Sequence, residues 1–451
     1  MKPHRGPRGA WLSLALFFLL VLAAVLLGGC ELLPTTATPP PGALEETATP
    51  LPGGAAAEPT SAAAASPGAS TAITLTMWTT EAFSPTEAIT SGQILAGQVM
   101  EFEAAHPEAR LEFLLKKPYG RGGILDFLLT TAPVVPALMP DLAIIDIDEL
   151  PAAVQAGVLQ PLDNLVSQEL LADLYPFARQ ATSLDGQLWG LQFQADLNHL
   201  IYNTGKLTVP PRSWPGVLSG PGIYAFPAAG QGGLVNDSFL VQYLAVRPWP
   251  VESDPDAPFL DAESLTAVLQ FYQDGVSRGV FADILDYDTV DDCWTAYVAG
   301  EADLAHVSAH RYLVEGEELP SAGVAPIPAI NGAGPPISRG WALVLVTEDP
   351  DRQALAVELM TRLMAAGINA SWNQAAGYLP TRRLAVSALA GDGEGDSYLR
   401  FIEQQLQAAR PRPRLSNYAQ VASALQEAVE DVVSGAAMPE EAAARLVPGS
   451  P

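Results

Sequence analysis

Hydrophobic and polar positions pass through three regimes along this chain. From Ala10 to Leu27 every position but Ser13 is apolar, behind a short basic start of Lys2, Arg5 and Arg8. Residues 31–71 are Pro, Thr, Ala, Ser and Gly with almost no large apolar side chains. From Ile73 onward, periodicity sets in. Ile73, Leu75 and Met77 alternate with Thr74, Thr76 and Trp78, the period-two pattern of a half-buried strand. Ile94, Leu95, Val99 and Phe102 repeat at helical spacing, and Pro107 closes that segment. Leu111, Phe113 and Leu115 share one face of a second strand. Residues 124–129 read as a helix, and the apolar run 142–145 behind Pro140-Asp141 reads as a buried third strand. Strand, helix, strand, helix, strand predicts a mostly parallel sheet layered with helices, an α/β fold.

Further along, Leu184-Asp185-Gly186-Gln187 signals a hairpin. A strand is predicted over 197–202, another near 303–307 and a third over 341–346. Asp261 suits the N-cap of a long amphipathic helix carrying Leu265, Val268, Leu269, Tyr272 and Val276, with Gly279 just past its end. Helices are also predicted over 291–299, 351–366 and 418–434. No fixed-period repeat is visible. The body from Ala72 to Pro451, about 380 residues, has the length of two domains.

The basic start, apolar run and small residues read as a secretory signal over residues 1–29. An uncleaved membrane anchor is the competing reading, because 18 apolar positions approach a span. A plain anchor, however, gives the small residues and the Cys no role. Leu27-Gly28-Gly29-Cys30 resembles the lipobox of bacterial lipoproteins, which implies cleavage before Cys30 and lipidation of its thiol. The body would then be anchored to a membrane of the cell envelope and face the extracytoplasmic side. Residues 31–71 cannot bury enough surface to offset their chain entropy and are expected to form a disordered tether, spanning roughly 35 Å.

Charge narrows the partners. The formal net charge is −27, and removing Lys2, Arg5 and Arg8 with the signal makes the mature chain more acidic still. Such a body lacks the basic patches that neutralise phosphates, which excludes nucleic acid as a partner. It also disfavours adhesion of the body to an anionic membrane. Solubility is sufficient reason for the acidity. Only two Cys occur, Cys30 and Cys293. With Cys30 taken by lipid, Cys293 is unpaired and reads as a buried apolar residue beside Trp294.

Catalytic motifs are absent: no Gly-x-Ser-x-Gly, no P-loop, no His-Glu-x-x-His and no Cys-x-x-Cys. His306 and His310 are four apart but straddle a strand end without a third ligand, so no metal site is expected. The sequence calls for no cofactor and points to no enzyme. Asp146, Asp148 and Glu149 form an acidic knot at the carboxyl end of the third strand, where α/β sheets place ligands. One of them is equally suited to cap a helix starting at Glu149. Trp78, Trp189, Trp341, Trp372 and Tyr378 are the candidate stacking surfaces, weighed against the core positions that Trp usually occupies. Aromatic faces with carboxylates suit a carbohydrate.

The order of segments resembles the extracellular solute-binding proteins of ABC importers, the family that includes maltose-binding protein, in a lipoprotein form. The likeness runs from the first strand and Phe102-Glu103-Ala104-Ala105-His106-Pro107 through Pro140-Asp141-Leu142-Ala143-Ile144-Ile145 and Gly157-Val158-Leu159-Gln160-Pro161-Leu162. Its strongest piece is Asp185-Gly186-Gln187-Leu188-Trp189-Gly190-Leu191 followed by Tyr202-Asn203, with Gln192 where Pro is usual. Ala299-Gly300-Glu301-Ala302-Asp303, Gly340-Trp341 and Gly377-Tyr378-Leu379-Pro380 complete it.

That family's fold is two discontinuous α/β lobes joined by crossing strands at a hinge, the type II periplasmic-binding-protein-like arrangement. The resemblance implies one lobe from 72–194 and 326–382 and the other from 197–322 and 386–447. It implies a ligand cleft touched by Trp78, Glu81, Asp146, Asp148, Asp196, Asn236, Asp237, His310 or Arg311, and Tyr418, beside Trp341 and Tyr378. It further implies a monomer that hands its solute to permease subunits. A sugar or oligosaccharide is the first expectation. A polyamine or other cationic solute is the alternative, and a surface glycoside hydrolase a more distant one.

Overall fold

A computed structural model describes residues 72–250, 258–316, 319, 321–390 and 397–447. The signal segment, Cys30 and the tether lie outside the described residues. The first strand, β1 (Ile73–Thr79), pairs in parallel with β2 (Ala109–Leu115) and with β3 (Leu142–Asp146). Helices Thr90–Ala105 and Ile124–Thr131 connect them, the crossover connections that parallel pairing demands. Since the sheet is covered on both faces, the alternation in β1 does not separate core from solvent: Met77, Trp78 and Thr79 are all buried.

A tight hairpin of β4 (Ser183–Leu184) and β5 (Gln187–Leu188) turns at Asp185 and Gly186, both with positive φ. It leads into β6 (Leu191–Asn203), 13 residues long and far longer than the strand predicted over 197–202. The first half of β6 pairs antiparallel with β10 (Ile337–Leu345), and its second half pairs with β8 (Leu304–Ser308) and β9 (Ala322–Ala325). β7 (Tyr224–Ala225) lies beyond β8, and the two-residue β11 (Arg410–Pro411) lies beside β10. The sheet order is β2-β1-β3-β10-β6-β8-β7.

Two hydrophobic cores sit along this sheet, and β6 runs from one to the other. The first gathers Leu75, Phe102, Ile144, Phe177, Leu191, Leu345 and Trp372. The second gathers Leu200, Tyr224, Phe239, Tyr272, Phe281 and Val429. The molecule is thus two-lobed. Packing places two stretches differently from the expected lobe limits. Ile327 and Ile337 join the second core, so the chain returns along β10 rather than at 326. Val386, Ile402 and Leu406 join the first core, because the amphipathic helix Ser397–Ala408 lays its apolar face there.

Local signals held where they were strongest. Helix Ala262–Ser277 is capped by Asp261, whose carboxylate accepts from Ser264 N at 2.9 Å, and Gly279 follows at φ +65°. Cys293 is fully buried in helix Val290–Val298, and burial pushes its thiol well above the usual range. The helix predicted over 351–366 is Pro350–Leu363, and a further helix, Ala366–Ala376, follows it.

Candidate functional site

The two lobes face each other across a cleft at the point where β6 and β10 cross. Two cavities open there, of about 720 and 650 Å³, and share Trp341 and Tyr378 as a common wall. Both volumes fall in the range of small-ligand sites, about 300–1,000 Å³.

The floor of the larger-walled cavity comes from β6. Gln192, Gln194, Asp196 and Asn198 alternate along one side of that strand, and the last three line the cleft. Gln194 is 2 % exposed and its Oε1 has no hydrogen-bond partner. Asp196 accepts backbone N–H bonds on Oδ1 alone, from Leu197 at 2.9 Å and His310 at 3.0 Å, which leaves Oδ2 toward the cavity. Burial holds its pKa above the usual carboxylate value.

Aromatic rings stand directly beside these groups, since Trp341 is the cross-strand partner of Gln194. Gly340 has φ +153°, and a Cβ there would collide with the Gln194 carbonyl. Only glycine fits, and the register shift between Trp341 and Ala342 follows directly after it. Trp341 is thereby presented half-buried at the cleft, against Phe83 and Tyr119, each with ring centroids 5.5 Å away. Gly377, at φ +70°, ends helix Ala366–Ala376 and aims Tyr378 at the cleft. Tyr378 stacks on His310 at 4.3 Å and 16°. His310 Nδ1 lies 2.9 Å from the Gly377 carbonyl, which can only accept. Nδ1 therefore carries a proton in this contact.

At the carboxyl end of β3, Tyr119 donates to Asp146 Oδ2 at 2.7 Å, while Asp146 Oδ1 accepts from Asp148 N at 2.8 Å. Asp146 therefore closes a local turn, and burial followed by the Asp148 charge raises its pKa. Helix Leu150–Gln155 has no side-chain cap, so the expected capping carboxylate at Glu149 is not there. Instead Glu149 Oε2 is buried without a partner, and burial, then Asp146 and Asp148, lift its pKa to about 7.

Beside Asp196, whose cross-strand partner is Arg339, the cleft holds a closed ring of four charges. Arg339 on β10 donates to Asp237 Oδ2 at 2.5 Å and to Asp148 Oδ2 at 2.6 Å. Arg412, directly after β11, donates to Asp148 Oδ2 at 2.9 Å and to Asp237 Oδ1 at 2.7 Å. Asp148 follows β3 on the first lobe, whereas Asp237 opens helix Asp237–Val246 on the second. The ring thus ties the lobes together.

The expected contacts divide accordingly. Glu81 lies exposed at the first cavity with Lys116 and Lys117. Asp146, Asp196, Asn236, Asp237, His310, Trp341, Tyr378 and Tyr418 all line the second. Two of these are committed elsewhere. Asn236 caps helix Asp237–Val246 by accepting from Ser238 N and donates to the Pro227 carbonyl at 2.6 Å. Asp237 has both oxygens held by arginines, and Asp148 is held by the same two arginines through Oδ2.

Trp78 is a correction: it is 4 % exposed, packed edge-on against Phe127 and covered by Lys116, and it lines neither cavity. Trp372 is fully buried, and Trp189 turns its N–H to the Leu184 carbonyl. Among the stacking candidates, Trp341 and Tyr378 remain. His306 is also taken up, bonded to the Tyr224 hydroxyl and to Ser238 Oγ, the latter at 2.7 Å, and burial lowers its pKa to about 3. Sequence reasoning missed Gln194, Tyr119, Arg339 and Arg412. The polar alternation Gln192-Gln194-Asp196-Asn198 was the signal for the first.

Residues 128–390, more than half of the chain, match the family described as bacterial extracellular solute-binding protein. The maltotriose-binding protein of Pyrococcus abyssi is 33 % identical over 75 residues, which spans 17 % of this chain and 17 % of that relative. Among solved structures, the cyclic alpha-maltosyl-1,6-maltose binding protein of Arthrobacter globiformis superposes with TM-score 0.67 at 18 % identity, over 83 % of this chain and 97 % of that one. The sugar-binding protein MalE of Xanthomonas citri gives 0.66 at 19 % identity, over 83 % and 95 %. The maltotriose-bound maltotriose binding protein of Thermus thermophilus gives 0.58 at 21 % identity, over 83 % and 98 %. At these identities the structural likeness establishes the two-lobed fold, and the match over residues 128–390 establishes the family. The chain belongs to the bacterial extracellular solute-binding proteins.

Proposed function

We propose that this protein is the solute-binding lipoprotein of an ABC importer, which takes a sugar or oligosaccharide into the interlobe cleft and delivers it to a membrane permease. The observation that carries this reading is the face of Trp341 and the Tyr378–His310 stack set beside Asp196, whose Oδ2 has no partner and which lines the same cleft. Sugar rings offer an apolar face to aromatic rings and hydroxyl donors to such acceptors. Capture closes the lobes about the crossing strands β6 and β10, and the cleft buries the ligand. Binding rather than hydrolysis is the reading, because the family that the chain matches is one of solute-binding proteins and both oxygens of Asp146 are already bonded. Relatives named for maltotriose and maltose-type saccharides support the sugar class. Lipid on Cys30 would keep a protein without a membrane-spanning helix among its described residues beside its permease.

The carboxylates of Asp146, Asp196, Asp288 and Asp291 at the same cleft favour a second reading, a polyamine or other cation. Thermal-shift titration separates the two. A ligand at a hundred times its Kd adds about 2.7 kcal/mol of stability. A shift with maltotriose and none with spermidine is the expected result. The reverse would replace the sugar reading, and release of reducing ends from a glycan would replace binding with hydrolysis. C30A should move the protein from the membrane fraction to the medium or periplasm, and a variant that stays with the membrane would remove the lipid anchor from the proposal.

A further inference from the structure

Beyond the cleft lies a separate cavity of about 460 Å³, walled in part by Ile147, Pro151, Ala152 and Leu184. Arg412 and Tyr418 belong to both cavities, and Asp148 faces the outer one. The partition between them is therefore the Arg412 guanidinium, laid 5.4 Å over the Tyr418 ring and bridged to Asp148. It is held firmly: Nη1 bonds Asp148, while Nη2 and Nε bond Asp237 at 2.7 and 3.2 Å. A solute that pushed Arg412 aside would leave two carboxylates short of a cation, and the cost falls mainly on the buried one, Asp237, since Asp148 is partly solvated. A chain of sugar rings entering at Trp341 and Tyr378 would meet this closed, charge-neutral wall.

We propose that the Asp148–Arg412 bridge is a length stop: it separates the ligand cleft from the outer cavity and restricts the solute to short saccharides. This rests on the sugar reading above and adds to it a determinant of chain length that neither the aromatic faces nor the free acceptors supply.

Calorimetric titration of the full chain with linear α-1,4-glucose oligomers, from the monosaccharide to the hexasaccharide, tests the stop. In the wild type, affinity should cease to rise after the first few members. In R412A the ratio of hexasaccharide to disaccharide affinity should increase by at least about tenfold. D148N/R412Q removes the bridge without leaving a lone charge and should give the same change if R412A is poorly folded. A152W, which fills the outer cavity, should cancel the gain in the R412A background and leave the wild-type ratio as it was. Affinity that climbs steadily to the hexasaccharide in the wild type, or an unchanged ratio in both bridge variants, overturns the length stop while leaving the sugar reading intact. No binding of any member to the wild type overturns the α-glucan reading and the stop with it.

Discussion

The two ends of the cleft use the same residue types to opposite ends. At the aromatic end, Asp196 keeps one oxygen free and Gln194 keeps a buried carbonyl without a partner. At the charged end, Asp237 has both oxygens held by Arg339 and Arg412, and Asp148 takes a guanidinium bond from each of them on Oδ2. A carboxylate with an open lone pair offers a solute an interaction it lacks in the apo protein. A carboxylate already held by guanidinium offers only the cost of breaking that pair. The difference teaches that residue type does not identify a binding contact; the unsatisfied hydrogen-bond capacity does.

The comparison can be broken most forcefully at its charged end. D237A leaves two arginines facing one aspartate. With Arg339 still 39 % exposed, the expected loss is at the lower end for a broken buried pair, about 2–3 kcal/mol of unfolding free energy by urea denaturation. A loss below about 0.5 kcal/mol would mean the ring is solvated and holds nothing. At the aromatic end, W341A should weaken saccharide binding by at least about 2 kcal/mol, roughly thirtyfold, as removal of a central aromatic anchor does. Titration calorimetry reads this directly, and unchanged affinity would move the stacking surface elsewhere.

D196N should weaken binding by about 1.5–3 kcal/mol, since it replaces a charged acceptor with a neutral one. If D148N weakens binding as much as D196N does, the division between the carboxylate held by guanidinium and the one held only by backbone N–H groups fails. A finer test lies in pH. The Glu149 pKa is raised to about 7 from 4.5, so the folded state holds its proton more tightly than the unfolded chain. That contribution is fully present below about 4.5 and is lost as pH rises to about 7. His199 and His306, lowered to about 4 and about 3 by burial, act in the other direction over the lower part of this range. The difference between wild type and E149Q isolates the carboxyl: the melting temperature of E149Q should lack the decline between those limits. Superimposable pH profiles would show that Glu149 is solvated in the native state. The smallest expected effect is W78F, which should leave saccharide affinity within about 0.5 kcal/mol while lowering stability, because Trp78 belongs to the core. A large loss of affinity would return Trp78 to the cleft.

Several of these distinctions were legible before the fold. Asp196, named from the family resemblance, and Trp341 and Tyr378, named from the sequence as stacking surfaces, do line the cleft. Trp78 misled because alternation in β1 suggests one exposed face, and only the helices packed on both sides of the parallel sheet remove it. The charge ring was invisible for a different reason. Asp148 and Arg339 are 191 positions apart, and Asp237 and Arg412 are 175 apart. Nothing local marks an arginine in a strand as the partner of a distant aspartate.

By itself the sequence determined what short-range physics controls: the strand and helix periods, the hairpin at Asp185-Gly186, the cap at Asp261 and the buried Cys293. Its segment order also carried the family. Tertiary structure decided the rest: where the chain crosses between the cores, which tryptophans reach the cleft, and which carboxylates remain free to bind. These outcomes depend on which surfaces are covered and which charges meet across the lobes, and such long-range contacts leave no period in the chain.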